Sequence, residues 1–272
     1  MFAFSRYKGP NQFGRAYQIM LERDAHAQGS VDRAIVEHMI RLAPETAAYL
    51  YDRYTEIAIK YKKGSRPELE QRVKKAITNC DSEEGRLTGI CRFCADLGKS
   101  AVQDLDEMRL GGTEEEIIGR GSDWCTDVGR VGCALCQVAG FPARLVFLFD
   151  TSRAYSGHAI IEVCRSRIWG AMDPTTNVVY RRPDGKPATT WDLMREPCLI
   201  ESHGRGNSTP YTTAAQFRGA AISNYFVWES EKYDYTVSRV NDYCRSILDM
   251  SMKGWPGGLR WIHGEDVAPQ SS

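Results

Sequence analysis

The chain lacks three things that would place it quickly. No apolar run comes near the roughly 18 residues that cross a bilayer, so no membrane partner is expected. There is no charge imbalance: 35 Lys and Arg stand against 35 Asp and Glu, a formal net charge of +0. Nucleic acid held through bulk charge needs a cationic surface, so no nucleic-acid partner is expected either. The opening residues, Met-Phe-Ala-Phe-Ser-Arg-Tyr-Lys, lack the apolar stretch of a secretion signal, which points to the cytoplasm. No repeat or low-complexity tract appears, and nothing calls for a cofactor. What is there is an ordinary globular composition: 272 residues, 42% hydrophobic and 26% charged, enough to bury a sizeable core.

The nine cysteines are Cys80, Cys91, Cys94, Cys125, Cys133, Cys136, Cys164, Cys198 and Cys244. An odd number without an export signal argues against a disulfide framework. Cys91/Cys94 and Cys133/Cys136 have the Cys-x-x-Cys spacing of zinc knuckles. The gap between the pairs is long and the second lies inside a helical pattern, so packed thiols are preferred and no metal is expected. The useful question is whether one cysteine stands apart as a nucleophile.

Apolar residues at three- and four-residue spacing predict helices over about Gln12–His26 and Ser30–Lys62, with Ile35, Met39 and Leu42 on one stripe. A helix near Leu69–Thr78 follows the Lys-Gly-Ser-Arg-Pro break. Asp81 with Glu84, and Thr113 with Glu116, have capping-box spacing. Strand-like runs are confined to the middle: Arg144–Phe149, His158–Cys164 and Ile168–Asp173. The expected fold is α+β in one domain. It has a helical N-terminal lobe over 1–66, a core over 67–200 and an aromatic-rich C-terminal extension over 201–272 packed on that core.

Chemistry concentrates between Gly119 and Tyr180. Cys125 opens a helix that Ser122 or Asp123 would cap and that Gly140-Phe-Pro142 would stop. Val128, Val131, Gly132, Leu135 and Val138 share a face, and Cys125 falls on its edge in the first turn. The positive end of a helix favours a thiolate. A thiolate nucleophile needs a base, and the base an orienting partner. His158 begins one strand-like run and Asp173 ends the next. A two-residue turn at Arg165–Ser166 would set them directly opposite, about 5 Å apart at Cβ.

Four blocks, Cys125-Thr-Asp127, Gly140-Phe-Pro142-Ala-Arg144, Gly157-His158-Ala and Asp173-Pro174-Thr175, resemble in order and content the core motifs of the transglutaminase-like superfamily of papain-fold cysteine enzymes, stand-alone microbial type. The resemblance implies a papain-like transglutaminase core, with a nucleophile helix packed on an antiparallel sheet. It also implies nucleophile Cys125, base His158 and orienting Asp173. The expected activity is cysteine-nucleophile acyl transfer on a peptide or small-molecule amide through a thioester, with hydrolysis favoured over amine transfer. The oxyanion would rest on the Cys125 backbone N–H and one upstream donor, for which Gln103 and Trp124 are candidates.

Around this set, Asp127 is a candidate for orienting the helix start or binding a substrate amine. Arg144 is a candidate clamp for a substrate carboxylate, though a salt bridge is the plainer reading. His203, on a polar Gly-rich segment, could edge the cleft. Trp255 belongs to an aromatic tail that would fill core or wall the cleft. The alternative from another class is a non-catalytic ligand-binding module that keeps the fold. Oligomeric state is not legible.

Overall fold

A computed structural model of the chain describes residues 39–42, 44–51, 58–101, 112–149, 157–204, 217 and 220–223. The expected helix over Gln12–His26, and with it Gln103 and Trp255, lie outside those residues. The described part is a mixed α+β arrangement around one antiparallel sheet. The strands are β1 (Met39–Arg41), β2 (Ala143–Phe149), β3 (Gly157–Arg165), β4 (Ile168–Asp173), β5 (Val178–Val179) and β6 (Ala221–Ser223), in the spatial order β1-β6-β2-β3-β4-β5. The helices are α1 (Pro44–Tyr51), α2 (Pro67–Ala76), α3 (Glu83–Asp96), α4 (Glu114–Arg120), α5 (Cys125–Val138), α6 (Thr190–Arg195) and α7 (Cys198–Gly204). No helix among the described residues is long and apolar enough to cross a membrane.

α5 is the central element. It packs on β2 and β3 on one side and on α2, α3 and α4 on the other. Every residue from Thr126 to Gln137 but none of the flanking pair Cys125 and Val138 is buried, so the single apolar face read from the sequence understates its burial. Gly129 and Gly132 allow the close approach to the sheet. A Cβ on Gly132 would stand 3.2 Å from Ile161 Cδ1 and 3.5 Å from Pro174 Cβ. The helix ends in a Schellman turn: Gly140 has φ 88°, its N–H donates to Gln137 O, and the Phe141 N–H donates to Cys136 O at 2.8 Å. Strand alternation sends Leu145 and Ile161 toward α5. The neighbouring positions Val146, Leu148, Ile160 and Ala171 enter a second cluster with Leu42, Leu50, Leu193, Phe217 and Ile222.

Three expectations are corrected. The helix over Ser30–Lys62 is interrupted: residues 39–41 are a strand and a new helix starts at Pro44. Proline fits the first turn of a helix but not its interior, and it drives the residue before it out of the helical region. Strands are not confined to the middle. β6 pairs with β1 and β2, so part of the C-terminal stretch is built into the sheet rather than laid over it. The cap of α3 is Ser82, whose Oγ accepts from the Gly85 N–H, and not Asp81. The capping box of Thr113 and Glu116 forms as expected.

Candidate active site

Cys125 is the first residue of α5 and is half-buried. The expected caps do not cap it. The N-cap is Trp124, itself buried, and no side chain accepts from the first turn. Ser122 Oγ accepts instead from the Trp124 N–H at 3.1 Å. The Cys125 backbone N–H has no acceptor among the described residues, and it lies beside the thiol at the positive end of the helix.

His158 and Asp173 meet as expected but by a different register. Ser166 and Arg167 both have positive φ, 47° and 65°, and form the two-residue turn, one position later than the sequence suggested. The observed pairs, Ile161 with Met172 through Arg165 with Ile168, set His158 diagonal to Asp173 rather than opposite it. The shift is two residues, so both remain on one face of the sheet. A diagonal pair is still within reach of long side chains, and His158 Nε2 stands 2.9 Å from Asp173 Oδ2.

That contact fixes the roles of the ring nitrogens. With Nε2 on the carboxylate, Nδ1 is the nitrogen left for Cys125, whose thiol is within hydrogen-bonding and coulombic reach of the ring. Burial pulls the His158 imidazole down. The charge and hydrogen bond of Asp173, then the hydrogen bond and charge of Cys125, outweigh it and raise His158 to about 10. Asp173 has no exposed surface. Its Oδ1 accepts from the N–H groups of Thr175 at 3.0 Å and Thr176 at 3.2 Å, an Asx turn that aims Oδ2 at the imidazole.

The other candidates separate. Asp127 is fully buried, and its Oδ2 accepts from Arg120 Nη2 at 2.9 Å and Ser122 Oγ at 3.2 Å. The carboxylate is engaged inside the protein, with the end of α4 and the loop before α5. His203 is not on a loop but in α7. Its Nδ1 donates to Leu199 O at 2.7 Å, its Nε2 accepts from the Arg181 N–H at 3.2 Å, and its ring stands edge-on to Tyr180. With both nitrogens engaged, it holds α7 to the chain after β5 instead of edging a cleft. Trp124 stays next to Cys125 as the buried N-cap.

Arg144 is not a substrate clamp. Its Nε and Nη2 both donate to Glu162 Oε2, at 2.9 and 2.7 Å, and its Nη1 donates to Leu50 O. The guanidinium lies over the rings of Trp169 and Tyr51, 4.0 and 5.0 Å from their centroids. Glu162 Oε1 accepts from Tyr51 Oη and the Thr190 N–H. This network was missed at Glu162. The available signal was a carboxylate and a guanidinium at alternating positions inside two apolar strands.

The two Cys-x-x-Cys pairs converge. Cys91 and Cys94 from α3 and Cys133 and Cys136 from α5 are buried and electrostatically coupled, and desolvation raises all four well above an ordinary thiol. No three His, Cys, Asp or Glu among the described residues are placed to share a metal ion. Cys91 Sγ donates to the backbone oxygens of Asp173 at 3.5 Å and Val178 at 3.8 Å, under the turn that carries the Asp173 carboxylate. No protein family matches the sequence, and no curated protein or solved structure is detectably similar to it.

Proposed function

We propose that the chain is a thiol-dependent acyl-transfer enzyme acting on an amide, with Cys125 as nucleophile, His158 as the proton-carrying base and Asp173 as its orienting partner. One observation carries this reading: a half-buried thiol at the first position of a central helix faces a buried imidazole whose other nitrogen is held by a buried carboxylate. Packing alone does not call for that combination, and the neighbouring buried thiols lack it. The reading also takes the chain to be a relative of the transglutaminase-like superfamily with a papain-like core. The order Cys, Pro-Ala-Arg, Gly-His and Asp-Pro-Thr supports it, as does a nucleophile helix packed on an antiparallel sheet.

The chemistry follows from the geometry. The thiol proton passes to His158 Nδ1, and Asp173 stabilises the imidazolium that results. Sulfur attacks the substrate carbonyl, and the Cys125 N–H donates a hydrogen bond to the developing oxyanion. The imidazolium protonates the leaving nitrogen as the C–N bond breaks, leaving a thioester on Cys125. Water then resolves it, with amine transfer as the competing outcome. His158 raised to about 10 suits the protonated form that the second step needs.

An activated ester tests this without knowledge of the natural amide. Treated with p-nitrophenyl acetate, the intact protein should release p-nitrophenol in a burst and carry one hydroxylamine-labile acetyl group on Cys125. Cys125→Ala and His158→Ala should do neither while melting as the parent does. A parent protein that stays unacylated, or that acylates equally at Cys198, would return the chain to the reading of a non-catalytic ligand-binding module.

A further inference from the structure

Asp127 is a buried carboxylate in the first turn of the helix that carries Cys125. It lies two residues from Cys125 in the same helical turn, and it is fully buried. Two positions apart on a helix, the two side chains point to different sides, so the carboxylate is not placed to partner the thiol.

The hydrogen bonds give the carboxylate a different use. Asp127 Oδ2 accepts from Arg120 Nη2, at the end of α4, and from Ser122 Oγ, in the loop between the helices. Ser122 Oγ in turn accepts from the backbone N–H of Trp124, the residue directly before Cys125. The chain of contacts therefore runs from α4 through the loop backbone to the third residue of α5. On its other side the loop has no room to yield. Gly121 sits at φ 76° against Ser100 and the Leu97 carbonyl, and a Cβ there would stand 2.8 Å from Leu97 O.

Holding α4 against α5 does not require this arrangement. A separate buried pair already does so: Arg130 Nη2 on Glu114 Oε1 at 2.7 Å, with Arg66 on the other Glu114 oxygen at 2.7 Å. What the Asp127 contacts add is a hold on the N-cap backbone. Arg120 supplies the positive charge that offsets the cost of burying the Asp127 carboxylate.

We infer that Arg120, Ser122 and Asp127 form a positioning bridge for Cys125, fixing the Trp124–Cys125 backbone so that the thiol meets His158 and the Cys125 N–H meets the reacting carbonyl. The inference rests on Cys125 being the nucleophile. The bridge touches no substrate; it acts through the backbone it holds.

The bridge is testable because its members can be removed one at a time. The probe is iodoacetamide at neutral pH on the full chain, with modification of Cys125 followed by peptide mass spectrometry. If the bridge positions the thiol, Asp127→Ala, which removes the acceptor, and Ser122→Ala should each slow alkylation by about fivefold or more. Ser122→Thr, which keeps the hydroxyl, should stay within about twofold of the parent. A faster or unchanged Asp127→Ala, or an unchanged Ser122→Ala, overturns the bridge. Should Asp127→Ala fail to fold, the Ser122→Ala and Ser122→Thr pair decides alone. A parent Cys125 no more reactive than the exposed Cys198 overturns the nucleophile reading and the bridge together. A reactive parent with unchanged variants removes the bridge alone.

Discussion

Replacing Asp173 by Asn removes a charge and leaves the shape. The amide oxygen of Asn can still accept from the Thr175 and Thr176 N–H groups, so the turn after β4 should survive. The imidazole loses its counter-charge. His158 is raised from 6.5 to about 10 against the opposing effect of burial, a difference worth about 5 kcal/mol at about 1.4 kcal/mol per tenfold change in proton affinity. In Asp173→Asn burial should dominate, and His158 should titrate at or below its ordinary value. The sign of the stability effect follows. A histidine whose folded-state affinity is raised contributes stability that is full below about 6.5 and is lost as pH rises through about 10. The gap in unfolding free energy between parent and variant should therefore be widest near pH 6 and close toward pH 10. NMR titration of the His158 ring gives the proton affinity, and urea unfolding of both proteins at a series of pH values gives the gap. Among the buried thiols Cys91 is also raised by the Asp173 charge, so the two proteins differ there at alkaline pH, and the gap below about pH 8 reports the His158–Asp173 pair. A parent His158 that titrates near 6.5, or a gap that does not depend on pH, would refute the reasoning.

Two further outcomes follow from packing. Glu162→Gln should cost about 3–5 kcal/mol in urea unfolding, because it leaves the Arg144 guanidinium buried without its counter-charge. Gly132→Ala gains about 1 kcal/mol of helix propensity but sets a methyl 3.2 Å from Ile161 Cδ1 and 3.5 Å from Pro174 Cβ. The overpacking should cost about 1–3 kcal/mol, leave a net loss in melting experiments, and reduce acylation of Cys125 because Pro174 follows Asp173 directly.

The sequence by itself determined the elements whose signals are local. The helix from Cys125 to Val138 is delimited by its apolar spacing and by Gly140-Phe-Pro142. The strand Ile168–Asp173 and the capping box at Thr113 and Glu116 likewise need only neighbouring residues. Candidate chemistry was legible for the same reason, since Cys125, His158 and Asp173 each stand at the end of such an element. The long-range pairings were not. β1 and β6 are each three residues long; they pair with each other across more than half the chain, and β6 pairs with β2, so no local pattern marks them. The turn at Ser166–Arg167 escaped because a two-residue shift keeps every side chain on its face, and hydrophobic alternation is blind to it. Burial of charge was decided only in three dimensions. Asp127, Arg144 and Glu162 read as candidate ligand groups or ordinary polar positions until the structure gave each its partners. The four thiols of the two Cys-x-x-Cys pairs met only because α3 packs against α5. The sequence named the ends of elements; the tertiary contacts decided which of those ends face one another.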